Sequence, residues 1–204
     1  KADPTCGRLW QCLGWIMAEL GEPSESLAAY RRATELDPDD FALWPSLVWG
    51  LDLYEHATHA QRLEVRRAIE ARHIAPLAVH HRPHDNDPDP ERKLRVGYVS
   101  ADFFRHSAAF TFSLALRGHD HEAVEVYAYD CREYPADGMT GMLQGAVDYW
   151  RPALALSDDE LAEQIRADRI DVLVDLSGVT SGGRLLALAR RPAPVQITAW
   201  GYSI

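Results

Sequence analysis

The sequence is short of cysteine. It has three, Cys6, Cys12 and Cys131, an odd number with no Cys-x-x-Cys pair. That argues against a disulfide framework and predicts inert thiols in a reducing, cytoplasmic setting. Long apolar runs are missing too: none approaches the roughly 18 residues that a membrane helix needs. No apolar region of a signal peptide follows Lys1-Ala2-Asp3-Pro4. Positive charge is in deficit, with Lys+Arg 21 against Asp+Glu 31 and a formal net charge of −10. Phosphate backbones are bound by clustered Lys and Arg, so neither nucleic acid nor a membrane is an expected partner. No strand is followed by Gly-x-Gly-x-x-Gly, and the glycines of 178–183 lack a Gly-Lys-Ser/Thr ending. Dehydrogenase and P-loop readings fall on those absences. The Asp85-Asn86-Asp87 run lacks the glycine and terminal glutamate of a calcium loop, so no metal site is expected.

What is present is an ordinary globular composition: 204 residues, 47% hydrophobic and 25% charged. That is enough for a buried core in one or two domains. The pattern changes at 79–93, a polar stretch containing Pro83, Pro88 and Pro90. It reads as a solvated linker between helical hairpins over 1–78 and alternating strands and helices over 94–204.

In the first third, Trp10, Leu13, Gly14, Tyr30, Ala33 and Pro38 stand where a tetratricopeptide repeat of about 34 residues, counted from Gly7, places them. Gly14 and Ala33 let two antiparallel helices approach, with Trp10, Leu13 and Tyr30 between them. Gly21 allows the turn, Ser24 is the expected cap of the second helix, and Pro38 stops it. Asp39 or Asp40 then caps a helix through Leu51, and Thr58 caps another through Ile69. One repeat cannot bury its own face, so neighbours are required. A peptide-binding groove and a purely structural adaptor fit this segment equally.

The later region opens on Leu94-Arg95-Val96-Gly97-Tyr98-Val99-Ser100-Ala101-Asp102-Phe103-Phe104-Arg105-His106. An apolar β-rich run breaks into a polar turn, and a helix is predicted from Ser107. Further strands are expected at 124–129, 147–150, 171–176 and 195–200. A helix opens at Ser157 with a capping box closed by Glu160. This is a Rossmann-like α/β unit with a mostly parallel sheet. In such a sheet the ends carrying Ser100, Asp102 and His106 and those carrying Asp175, Ser177, Gly178 and Thr180 emerge on one edge, where ligands gather. His106 reads either as a helix cap or as a group facing that cleft. Gly182-Gly183 reads either as turn chemistry or as a close backbone approach.

The order of these motifs resembles the TPR-containing O-linked N-acetylglucosamine transferases. The likeness rests on 96–103 followed by His106, on 171–180 with Gly183-Arg184, and on Arg191-Pro192-Ala193-Pro194-Val195-Gln196 ending in Gly201-Tyr202. It implies the first lobe of a two-lobed GT-B glycosyltransferase. It also implies inverting, metal-independent transfer of N-acetylglucosamine from UDP-N-acetylglucosamine to Ser or Thr of proteins, with no cofactor. Acceptor polypeptides would enter through the repeat groove. By motif position His106 is the candidate catalytic residue. Ser100, Asp102, Asp175, Gly178, Thr180, Gly183, Arg184 and Tyr202 form the candidate substrate-binding set. Two departures stand out: Phe104-Arg105 replaces a small and a polar residue, and Ser203 follows Tyr202 where relatives have proline. The chain starts inside a repeat and stops without a capping signal, as expected of a fragment lacking the nucleotide-binding lobe and inactive alone. The alternatives are a non-catalytic interaction scaffold with a degenerate lobe, or a related transferase using another sugar.

Overall fold

The computed structural model describes residues 5–200. The chain forms two compact units, dividing between Pro76 and Leu77. Tyr202 of the candidate set lies outside the described residues.

The first unit is helical: α1 (Gly7–Glu19), α2 (Pro23–Leu36), α3 (Trp44–Leu53) and α4 (His59–Ile69). The α1–α2 hairpin closes on Tyr30, 2% exposed. A Cβ on Gly14 would fall inside van der Waals contact of the Tyr30 ring, so glycine is what allows the helices to approach. Gly21 makes the turn at φ 78°, a conformation that favours glycine. Ser24 is not the cap. Pro23, with its φ already set for a helix, opens α2 two residues earlier than a Ser24 cap would, behind Glu22. The Ser24 hydroxyl lies instead 3.4 Å from that of Tyr54. Asp40 caps a short 3₁₀ turn, Phe41–Leu43, that leads into α3. Thr58 caps α4 with a full capping box closed by Gln61. Gln11 donates from Nε2 to Ala42 O at 2.8 Å and to Ser46 Oγ at 2.9 Å, tying α1 to the next hairpin.

The second unit is an all-parallel sheet of β1 (Leu94–Ser100), β2 (Val124–Asp130), β3 (Tyr149–Pro152), β4 (Val172–Asp175) and β5 (Val195–Thr198). The strand order is β3-β2-β1-β4-β5, with β1 at the centre. The crossovers carry α5 (Ser107–Arg117), α6 (Gly138–Gln144), α7 (Asp158–Ala167) and α8 (Leu185–Leu188). Alternation along β1 sends Val96 and Tyr98 to one face, with Phe112 and Leu116 of α5 and Leu143 of α6. Val99 goes to the other, with Leu161 and Ile165 of α7 and Leu188 of α8. Both faces are covered, as a parallel sheet requires.

The third strand starts at Tyr149, later than its apolar pattern predicts. The Asp148 carboxylate accepts the Val126 N–H at 2.7 Å, so a side chain takes the first ladder position on β2. The stretch 79–93 is not a free linker. Asn86 donates to the Asp171 carboxylate at 2.6 Å, and Arg92 grips it with two bonds of 2.7 Å. The same carboxylate accepts the Arg95 N–H at 2.8 Å. This strap crosses the amino edge of the sheet, opposite the edge where ligands gather.

Candidate functional site

The carboxyl ends of β1 and β4 are laced together by hydroxyls. Ala101 N–H donates to Ser177 Oγ at 3.0 Å, and Asp102 N–H donates to Ser100 Oγ at 2.9 Å. The two hydroxyls lie 3.3 Å apart, and both residues are buried. Backbone leaving a strand loses its ladder partners, and these serines supply replacements.

Asp175 ends β4 and is 1% exposed. It accepts Ser177 N–H at 3.1 Å and Gly178 N–H at 3.0 Å, and Thr198 Oγ1 lies 3.4 Å away. Burial pushes its carboxyl up, against the lowering pull of those donors. Its oxygens are committed to shaping the turn. The loop 178–183 folds back on itself, and a Cβ on Gly183 would collide with the Gly178 carbonyl.

The segment 101–106 is held from α6. Thr140 Oγ1 donates to Phe103 O at 2.7 Å, and Arg105 N–H donates to the Asp137 carboxylate at 2.8 Å. Phe103, fully buried, packs edge-on to Phe112 and against Trp150. This anchoring fixes His106 at the start of α5. Its ring nitrogen Nδ1 lies 3.3 Å from Ala108 N and 3.5 Å from Asp102 Oδ1. The imidazole is half-exposed and the Asp102 carboxylate mostly covered. Burial raises the Asp102 carboxyl, while His106 and a hydrogen bond from Ser177 lower it.

Asp102, His106, Thr111, Leu176, Thr180 and Trp200 line a concavity of about 290 Å³ at this edge. Of the candidate residues, the structure therefore brings Asp102, His106 and Thr180 together. Ser100, Asp175, Gly178 and Gly183 stand behind the wall and shape it. Arg184 is not part of it. Its guanidinium donates to Asp158 Oδ1 at 2.7 Å, to Ala153 O at 3.1 Å and to Leu156 O at 2.6 Å. It staples α7 to the strand before it, because a cation buried there needs every donor satisfied. The same enclosure pushes the Cys131 thiol up to about 11, burial outweighing the lowering effect of nearby Arg184.

Thr111, Leu176 and Trp200 were missed from sequence. Thr111 was legible in principle, one helical turn beyond Ser107 on the face that His106 opens. Trp200 carries a left-handed φ of 57°, unusual for so bulky a residue and invisible in composition. Among the described residues no group of three or more His, Cys, Asp or Glu is placed to hold a metal ion.

A helical-repeat segment followed by an all-parallel α/β lobe, with its cleft at the strand carboxyl ends, is the class that fold and site define. The sequence profile of glycosyl transferase family 41 matches residues 54–204, and that of a tetratricopeptide repeat matches residues 7–40. The chain belongs to glycosyl transferase family 41. An Arabidopsis thaliana relative named "Probable UDP-N-acetylglucosamine--peptide N-acetylglucosaminyltransferase SPINDLY" is 37% identical over 122 residues, 58% of this chain and 13% of that protein. A Caenorhabditis elegans UDP-N-acetylglucosamine–peptide N-acetylglucosaminyltransferase is 30% identical over 112 residues, 54% of this chain and 10% of that one. A solved mutant of the Thermobaculum terrenum O-GlcNAc transferase superposes with a TM-score of 0.90 at 33% identity, over 98% of this chain and 38% of its own. The chain thus spans a small part of the length of the relatives it matches.

Proposed function

We propose that this chain is the repeat-bearing first lobe of a GT-B protein O-glycosyltransferase. It works with a donor-binding lobe to move N-acetylglucosamine from UDP-N-acetylglucosamine to Ser or Thr hydroxyls. The observation that carries the reading is the concavity where His106 and Asp102, at the end of β1, face Thr180, beyond β4. The relatives' printed activities supply donor and acceptor. In the reaction the acceptor oxygen attacks the anomeric carbon as the bond to the diphosphate breaks. The hydroxyl proton must go to a base, and His106 Nε2, with no partner among the described residues, is free to take it. Inversion follows from a single in-line displacement, with no cofactor and no metal. The helical hairpins deliver acceptor polypeptides, and the setting is the cytoplasm.

The test is transfer of radiolabelled sugar by the full-length protein to acceptor peptides. Transfer from UDP-N-acetylglucosamine is expected, and His106→Ala is expected to slow it by about 100-fold or more. No transfer by the folded full-length protein would favour a scaffold. Faster transfer from another nucleotide sugar would keep the enzyme and change the donor.

A further inference from the structure

His106 Nδ1 has two neighbours that demand opposite things of it. The Ala108 N–H, 3.3 Å away, asks for a lone pair. The Asp102 carboxylate, 3.5 Å away, asks for a proton. One nitrogen cannot meet both. If Nδ1 caps the helix, the neutral ring carries its proton on Nε2, which faces no described partner and can then only donate. If Nδ1–H points at Asp102, Nε2 is bare and can accept.

We propose that Asp102 is a positioning residue for His106. Its carboxylate takes Nδ1–H, selects the tautomer with a bare Nε2, and holds the ring against the concavity. In the structure Nδ1 accepts the Ala108 N–H as the N-cap of α5; three considerations favour the carboxylate as its partner. A hydrogen bond to an ionised carboxylate is about twice as strong as one between neutral groups. The Asp102 side chain is 14% exposed, and a covered charge needs donors. Nδ1–H, its nitrogen 3.5 Å from Oδ1, supplies one. Histidine is also a poor helix cap beside Ser, Thr, Asp and Asn, and a first-turn N–H near solvent finds water instead.

The carboxylate is itself aimed. Its backbone N–H is fixed on Ser100 Oγ, which lies 3.3 Å from the Ser177 hydroxyl beyond β4. A line of polar contacts thus runs from β4 through Asp102 to His106, joining the two strand ends that form the cleft. The role rests on the proposed transfer reaction. There the acceptor O–H proton passes to Nε2 as the acceptor oxygen bonds the anomeric carbon. The diphosphate leaves with the electron pair of the broken bond. The imidazolium so formed keeps its Nδ1–H on Asp102, and the carboxylate stabilises the new charge without taking the proton.

Nitrogen-15 NMR of the imidazole in this chain reads the tautomer directly and requires no turnover. In the neutral ring, Nδ1 is expected to resonate as a protonated, pyrrole-type nitrogen and Nε2 as a pyridine-type one. Asp102→Asn, whose amide can donate to Nδ1, is expected to reverse the pattern. A wild-type ring protonated on Nε2 overturns the proposal, even if the variant fails to fold, and so does a folded variant with an unchanged ring. In the full-length protein, Asp102→Asn is expected to lower kcat by about 10- to 100-fold with a much smaller change in KM, and Asp102→Glu to recover part of the loss. If wild-type transfer is absent while the ring carries Nδ1–H, the transferase reading falls and the positioning stands. Lost transfer with an unmoved tautomer has the opposite meaning and defeats the positioning role.

Discussion

Asp102 and Asp175 stand just beyond or at the ends of neighbouring strands, yet only Asp102 reaches the cleft. Asp175 spends its oxygens on the N–H groups of its own turn. Arg184 is similarly absorbed, by Asp158 and two carbonyls. Arg184→Met removes a side chain 12% exposed and strands those acceptors, which predicts a loss of about 2–4 kcal/mol in urea unfolding. The concavity itself should survive at denaturant-free conditions, because Arg184 is not among the residues that line it. Polar residues after a strand are ambiguous in a sequence, since buried backbone and bound ligands call for the same chemistry. The sequence places Asp102 and His106 on one strand-to-helix turn, but their 3.5 Å approach depends on the anchoring of Phe103 and Arg105 from the region of α6. The retreat of Asp175 and Arg184 depends on partners brought by the fold from elsewhere.

At the scale of elements, the strand–turn–helix at the start of the lobe follows its sequence closely. Strand β1 and helix α5 begin where the apolar run and the turn place them. Elements set by a side chain from another part of the chain do not. Asp148 delays β3, and Pro23 overrides Ser24 as the start of α2. The glycine-rich return after β4 shows the same dependence. Gly183→Ala would drive a Cβ into the Gly178 carbonyl, so the loop must move. A destabilisation of about 1–3 kcal/mol is expected, with weakened ligand binding at Thr180, and calorimetry alongside ligand titration would measure both. A variant as stable as the wild type would show that the return relaxes freely around an added Cβ. In the helical unit, Gly14→Ala is expected to cost a similar amount, about 1–3 kcal/mol, by overpacking against Tyr30.

At the scale of the whole molecule, the stretch that composition marks as a linker proves to be a strap. Burial pushes the Asp171 carboxyl up, but Arg92, the Arg95 N–H and Asn86 outweigh it and hold it below the usual carboxylate range. A carboxyl depressed in the folded state stabilises the fold above its unfolded value and loses that contribution as pH falls through the folded one. Asp171→Asn is therefore expected to be less stable than wild type at neutral pH, with the gap closing below about pH 4. Urea midpoints across that range check it; a gap that does not narrow would assign the strap to shape rather than charge. The central place of β1 has a further consequence, in the order of assembly. Val96 pairs with Val126 on one side and with Val172 on the other. Closing the shorter loop costs less entropy, so the β1–β2 pair is expected to form before β4 docks on β1. The Ala101 N–H, which needs Ser177 from beyond β4, then gains protection from exchange after the β1–β2 ladder. On that order the cleft takes shape only when β4 docks, and a ligand that binds it is expected to hold that docking step closed.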